Sequence, residues 1–282
     1  MPAQALNIFA CEPEWAALAR QLAPDATVFS ATHAFQDPHY IEARPSLIAK
    51  LRRADMAFCS GAELEAGWLP ALQQRAANPK VRNGAPGMVY AADFVSTIEK
   101  HQVSLVGRGH VHAEGNPHLH LDPERVQSIA KAFSQRLQKV DPDRAAVYKQ
   151  AFSAWYQHWQ QKKLQWLQQS LILRDQQVVV NHTTFSYLWR WLRMQPIADL
   201  EPSPGVAPTL SHLDSLVTEL KDKQPRAIVY NWYQSDKSPR WLSEKTGVPL
   251  LNLPSTVSEK EGISTLAQLF DHLIAQLRST VK

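Results

Sequence analysis

The sequence predicts an α/β fold of two lobes, each a mainly parallel sheet flanked by helices, with one long rigid helix joining them. Three observations carry this. Short apolar runs alternate with amphipathic helical stretches through the first half of the chain, the βαβα rhythm of a parallel sheet covered on both faces. The same alternation resumes in the second half. Between the halves, after the Asp141-Pro142-Asp143-Arg144 start and on to about Leu171, runs a stretch with neither proline nor glycine. At 1.5 Å per residue its roughly 30 residues make a helix about 45 Å long, more than one small domain needs. The 282 residues are enough for two domains. They divide into a first lobe over 1–140, the connecting helix over 141–172 and a second lobe over 173–282.

In the first half, strand Leu6–Ala10 leads to a helix over Pro13–Leu22, and strand Thr27–Ser30 leads to a loop containing His39. A helix over Pro45–Arg53 leads to strand Met56–Cys59, followed by an amphipathic stretch, Glu65–Ala77, and a strand over Gly87–Ala91. Residues 101–120 read as loop. Asp122-Pro123-Glu124-Arg125 is a helix start, with aspartate as N-cap and proline in the first turn. Asp141-Pro142-Asp143-Arg144 repeats the signal at the head of the long helix. Trp155, Trp159 and Trp166 fall there at helical spacing and read as its packed stripe. In the second half, strand Gln177–Val180 ends at His182 and a helix spans Thr184–Arg193. Glu201-Pro202-Ser203-Pro204-Gly205-Val206 is a stiff turn. Helix Ser211–Lys221, strand Ala227–Tyr230, helix Pro239–Thr246, strand Pro249–Leu253 and helix Ile263–Leu277 complete the chain.

The bulk numbers exclude several classes. Hydrophobic residues at 44% and charged residues at 20% are a globular balance, and a net charge of +4 with scattered basic residues gives no nucleic-acid footprint. No run of 18 apolar residues occurs, so no membrane-spanning helix is predicted. The start has no leader pattern; either the protein is cytoplasmic or a signal peptide has been removed. Cys11 and Cys59 are the only cysteines, and each ends an apolar run. As neighbours at the carboxyl edge of a parallel sheet they are well placed for a disulfide, with buried free thiols as the alternative.

Three isolated histidines, each at a strand or loop end, carry the chemistry. His39 lies in Gln36-Asp37-Pro38-His39-Tyr40-Ile41-Glu42. His118 lies in Gly115-Asn116-Pro117-His118-Leu119-His120, and His182 follows Val178-Val179-Val180-Asn181. Three imidazoles brought together make a site for a borderline divalent ion, zinc above all. Open α/β sheets bind ligands at their carboxyl edges, so the expected place is the cleft between the lobes. Glu42 is either a carboxylate that orients His39 or an early helix residue suited to the helix dipole.

In this order the elements resemble a metal-binding solute receptor of an ABC importer, of the zinc/manganese group. The matching pieces are Asp37 to Ser46, Ser60-Gly61-Ala62-Glu63-Leu64-Glu65 with Trp68-Leu69, Asn116 to Pro123, Asn181-His182 with Tyr187, and Glu201 to Gly205 with Ser211-His212-Leu213. The resemblance covers nearly the whole chain. It implies a single buried metal between two lobes and delivery to a permease in the inner membrane. It also implies a monomer in the periplasm or at the cell surface, with the signal peptide removed. Carried over, His39 and His118 are ligands from the first lobe and His182 is the ligand from the second. Histidine at that third position goes with zinc and a carboxylate there with manganese.

The chain departs from the pattern at the fourth ligand. The family places an aspartate just after the last strand, and here Leu253-Pro254-Ser255-Thr256-Val257-Ser258-Glu259 holds none. Three completions are open: Glu259 or Glu261 reaching in, a water closing a three-histidine site, or a Ser255 or Thr256 hydroxyl holding that water. Gly109-His110-Val111-His112-Ala113-Glu114 stands where some zinc receptors carry a long histidine-rich loop. His110 and His112 either chelate weakly or sit on a solvated loop. His120 reads as either a supporting or a packing residue. The rival function is a zinc hydrolase or hydratase, since an open three-histidine zinc generates hydroxide. No motif supplies it with a general base.

Overall fold

The computed structural model describes residues 5–100, 113–203 and 205–281. The first lobe is a four-stranded parallel sheet of β1 (Asn7–Ala10), β2 (Thr27–Ser30), β3 (Met56–Cys59) and β4 (Met88–Tyr90), in the order β2-β1-β3-β4. Helices α1 (Pro13–Leu22), α2 (Pro45–Arg52) and α3 (Leu69–Ala76) cover it. The second lobe repeats the plan with β5 (Gln177–Val180), β6 (Gln195–Asp199), β7 (Ile228–Asn231) and β8 (Leu250–Leu253), in the order β6-β5-β7-β8 and again parallel. Its helices are α6 (Ser186–Leu192), α7 (Leu210–Leu220), α8 (Lys237–Thr246) and α9 (Leu266–Ser279).

Helix α4 (Pro123–Val140) and the long α5 (Ala145–Gln169) join the lobes. Asp122 caps α4 by accepting from the Glu124 and Arg125 amides. Helix α5 has 25 residues, about 37 Å, and short 3-10 turns at Pro142–Arg144 and Ser170–Leu173 replace the ends that the unbroken helical pattern had extended. It is fastened to both sides. Toward the first lobe, Trp159 Nε1 donates to Pro123 O (3.0 Å) and Lys163 Nζ to Glu124 Oε2 (2.6 Å). Toward the second, Trp166 Nε1 donates to Asp271 Oδ1 (2.8 Å) and Lys162 Nζ to Asp271 Oδ2 (2.7 Å).

One continuous core runs through both lobes, from Trp15, Phe58 and Phe133 through Trp155, Trp159 and Trp166 to Phe270, and separate cores cover the outer sheet faces. A core that crosses the connection resists large hinge motion, because interiors pack at crystal-like density.

The sequence pattern missed β6. Pro196 within it lacks an amide donor, yet β6 is an edge strand, where such a residue is tolerated. The amphipathic stretch from Glu65 becomes helical only at Leu69. Before it, Gly61, Ala62 and Glu63 take left-handed backbone angles (φ 75, 48 and 66°), and the Glu65 carboxylate accepts from the Ser60 and Gly61 amides. Cys11 and Cys59 are joined by a disulfide. Across a sequence separation of 48, the chain-entropy model gives it about 4 kcal/mol of stabilisation.

Candidate metal centre

His39 lies in the loop between β2 and α2. Its amide donates to Asp37 Oδ1 at 3.0 Å, and its ring Nδ1 meets the same oxygen at 2.7 Å. Trp68 Nε1 donates to Pro38 O (3.0 Å), which pins this loop to the α3 side of the lobe. His118 precedes a 3-10 turn that runs into α4, and its amide donates to Asn116 Oδ1 (3.0 Å). Asn116 is held from the other lobe: its Nδ2 donates to Thr183 O (2.9 Å), and the Tyr187 hydroxyl donates to its carbonyl (2.7 Å). The same hydroxyl accepts the Ile98 amide (3.1 Å), and burial pushes its pKa up to about 12. His182 follows β5, and its Nδ1 meets Glu201 Oε2 at 2.7 Å.

The fold brings the three imidazoles together. The ring of His118 stands 6.0 Å from that of His39 and 6.3 Å from that of His182, edge-on to both. His39 and His118 are buried. A carboxylate only accepts, so Asp37 and Glu201 fix the proton on Nδ1 of His39 and His182 and leave Nε2 as the unprotonated ring nitrogen. A carboxylate behind each metal-binding imidazole is the usual outer support of such sites.

The surroundings are acidic. Burial works against the charged form of His182, but the hydrogen bond and charge of Glu201, with Asp199 and Asp37 adding, outweigh it and hold its pKa above the ordinary imidazole value. Asp199 accepts the Glu201 amide at 2.9 Å, and burial raises its pKa to about 7. Tyr233, whose hydroxyl burial keeps protonated, lines a small cavity together with His118 and His120. Neutral nitrogen donors ringed by carboxylates suit a borderline divalent cation.

The chain after β8 does not supply a fourth carboxylate. Glu259 turns away to pair with Arg20 (3.1 Å), and Glu261 is exposed. Ser255 and Thr256 are held by the first lobe instead. His120 Nε2 donates to Ser255 O (2.6 Å), and the Thr256 hydroxyl donates to Glu14 Oε2 (2.5 Å). His120 is thus a buried strut between lobes, with its Nδ1 3.0 Å from Glu14 Oε1. The carboxylate on His39 is Asp37, and Glu42 is exposed. His110 and His112 lie outside the described residues. The sequence pattern does not single out Asp37, Glu201, Asp199 or Tyr233 as neighbours of the histidines; of these, only Asp37, two residues before His39, carries a local signal.

Phe35 of the first lobe stacks on Trp232 of the second, ring centres 5.2 Å apart and planes within 6°.

Among known proteins, the chain is 25% identical over 233 residues to the high-affinity zinc uptake system protein ZnuA of Bacillus subtilis (strain 168), covering 80% of this chain and 70% of that one. It is 23% identical over 222 residues to the metal ABC transporter substrate-binding lipoprotein SloC of Streptococcus mutans, covering 76% and 69%. A crystal structure of ZnuA superposes with a TM-score of 0.83 at 20% identity, covering 99% of this chain and 100% of that one. The periplasmic zinc binding protein TroA of Treponema pallidum superposes at 0.80 with 16% identity, covering 99% of each. These two structures share the two-lobed fold. The model of one family matches this chain from residue 8 to residue 280, and the chain belongs to that family, the zinc-uptake complex component A, periplasmic.

Proposed function

We propose that this protein captures a divalent metal ion, zinc above all, between its two lobes and hands it to an ABC-type permease in the inner membrane. His39 and His118 are the ligands from the lobe over 1–140 and His182 is the ligand from the lobe over 173–282. The segment 141–172 holds the two lobes at fixed spacing. The observation that carries this reading is the pair of carboxylate-backed imidazoles, Asp37–His39 and Glu201–His182, each at 2.7 Å and contributed by different lobes on either side of His118. Water closes the fourth position.

The protein works outside the cytoplasm, as a monomer and as a carrier, not an enzyme. The family's description as a periplasmic uptake component and one relative's as a substrate-binding lipoprotein support the location and the carrier role. Neutral imidazoles bind the ion, so affinity falls as pH drops through the histidine range. The continuous core leaves release to small lobe shifts and to parting of the Phe35–Trp232 stack.

The test is a zinc competition titration of His39→Ala, His118→Ala and His182→Ala. Each variant loses more than the roughly 10–100-fold that removal of an outer hydrogen-bond partner costs. Parent-like affinity in all three overturns the assignment. Turnover of an ester or bicarbonate by the zinc-loaded protein would favour the hydrolytic alternative.

A further inference from the structure

A second convergence of metal-binding donors, made of other residues than the three histidines, lies in the first lobe. The strand order β2-β1-β3-β4 puts a topological switch point between β1 and β3, and open α/β sheets take ligands in the crevice at the carboxyl ends of such strands. Here that crevice is filled by Cys11 and Cys59, both fully buried. A carboxylate oxygen of Glu65 and the two sulfurs all lie within 4.8 Å of one another.

Glu12 completes the group. Its Oε2 accepts from the Ser60 amide and hydroxyl (3.2 Å each), while its Oε1, buried, receives no hydrogen bond from any donor among the described residues. The rest is tightly held. Glu65 accepts from the Ser60 amide (2.6 Å) and the Gly61 amide (3.1 Å), and Trp15 Nε1 donates to the Ser60 hydroxyl (2.8 Å). Burial, and the nearby charges of Glu65 and Glu14, disfavour a charge on Glu12 and hold its carboxyl well above the carboxylate range. A cation would relieve the same repulsion and give the orphan oxygen a partner.

We propose that Cys11, Cys59 and Glu65, with Glu12 beside them, form a second zinc site that the disulfide masks and reduction opens. A dithiol reductant gives two electrons and two protons to the Cys11–Cys59 bond. The bond breaks, two cysteine thiols form, and the reductant leaves as its own disulfide. Zinc then displaces the two thiol protons and is bound by two thiolate sulfurs and a Glu65 oxygen. A proton on Glu12 stays there, or leaves to solvent when Glu12 also ligates. Two sulfurs and carboxylate oxygen are ordinary zinc donors. Glu12 also lines a small cavity together with Glu14, His118 and His120.

The experiment uses the full chain, reduced with dithiothreitol and then freed of reductant by anaerobic gel filtration. It is compared with the oxidised chain and with the Cys11→Ser/Cys59→Ser double variant. Reduced protein is expected to bind one more equivalent of zinc than oxidised protein. With cobalt it should show a sulfur-to-cobalt charge-transfer band that the other two lack. Glu65→Gln should weaken this second equivalent at least tenfold and leave the first unchanged. Far-ultraviolet circular dichroism follows the fold throughout. Reduced, folded protein that binds no extra metal overturns the proposal. So does binding indifferent to Glu65→Gln, which would mean that the thiols act alone. A reduced chain that unfolds, and that zinc does not refold, also overturns it.

Discussion

Replacing Glu201 by glutamine tests how the second lobe presents its ligand. Glu201 Oε2 lies 2.7 Å from His182 Nδ1 and also accepts the Gly205 amide at 2.7 Å, so glutamine keeps the shape and one acceptor oxygen but loses the charge. Hydrogen bonds to charged groups contribute about 1.5–3 kcal/mol, against about 1 for neutral ones, so the loss is on the order of 1.4 kcal/mol, or tenfold in zinc affinity. That sits at the lower end of the roughly 10–100-fold range for outer partners of metal ligands. A second effect runs the other way. The Glu201 bond and charge are what raise the His182 pKa against burial, so the variant's imidazole sheds its proton more readily. The tenfold deficit should therefore be largest at the alkaline end of a titration series, where proton competition fades in both proteins. It should shrink toward about pH 6, where protons compete harder in the parent. A competition titration against a chromophoric chelator across this range reads both effects. Unchanged affinity at high pH would refute His182 as a ligand oriented by Glu201. A deficit that does not vary with pH would refute the electrostatic account.

Two other outcomes follow from the buried groups and the backbone. Burial raises the Glu65 pKa from 4.5 to about 7, so between those values the native state holds more protons than the unfolded state, and stability falls as pH rises. The span corresponds to an upper limit on the order of 3 kcal/mol. In thermal unfolding of the metal-free protein, Glu65→Gln should therefore gain on the parent from about pH 5 to about pH 8; a difference independent of pH would contradict this. Gly115 has φ +100°, and a Cβ there would meet Thr97 Oγ1 at 2.5 Å and Ile98 O at 2.7 Å, whereas Gly84, at φ +81°, has nothing within 4 Å. Gly115→Ala should cost about 3 kcal/mol and weaken zinc binding through His118, while Gly84→Ala costs about 1. Denaturant melts and zinc titrations of the two variants check the contrast, and equal losses would refute it.

Much of the fold was legible along the chain because its signals are local. Asp-Pro helix starts at 122 and 141, the tryptophan stripe of α5 and the strand-ending apolar runs all act within a few residues. β6 escaped because Pro196 speaks against a strand unless its place at the sheet edge is known. The left-handed run at Gly61–Glu63 escaped because it depends on where the Glu65 carboxylate points.

By itself the sequence determined the two-lobed α/β architecture, the long connecting helix and three histidines that such a fold can bring to one cleft. Periodicity, capping and side-chain chemistry suffice for these. Only the tertiary structure decided the partners. It joined Cys11 to Cys59, put Asp37 behind His39 and Glu201 behind His182, and turned Glu259 outward to Arg20. It also held the chain after β8 through Glu14 and His120. The reason is physical. A hydrogen bond or ion pair acts over about 3 Å of space, whatever the number of residues between its ends. Glu14 and Thr256, 242 residues apart, meet only once both sheets have closed on the continuous core.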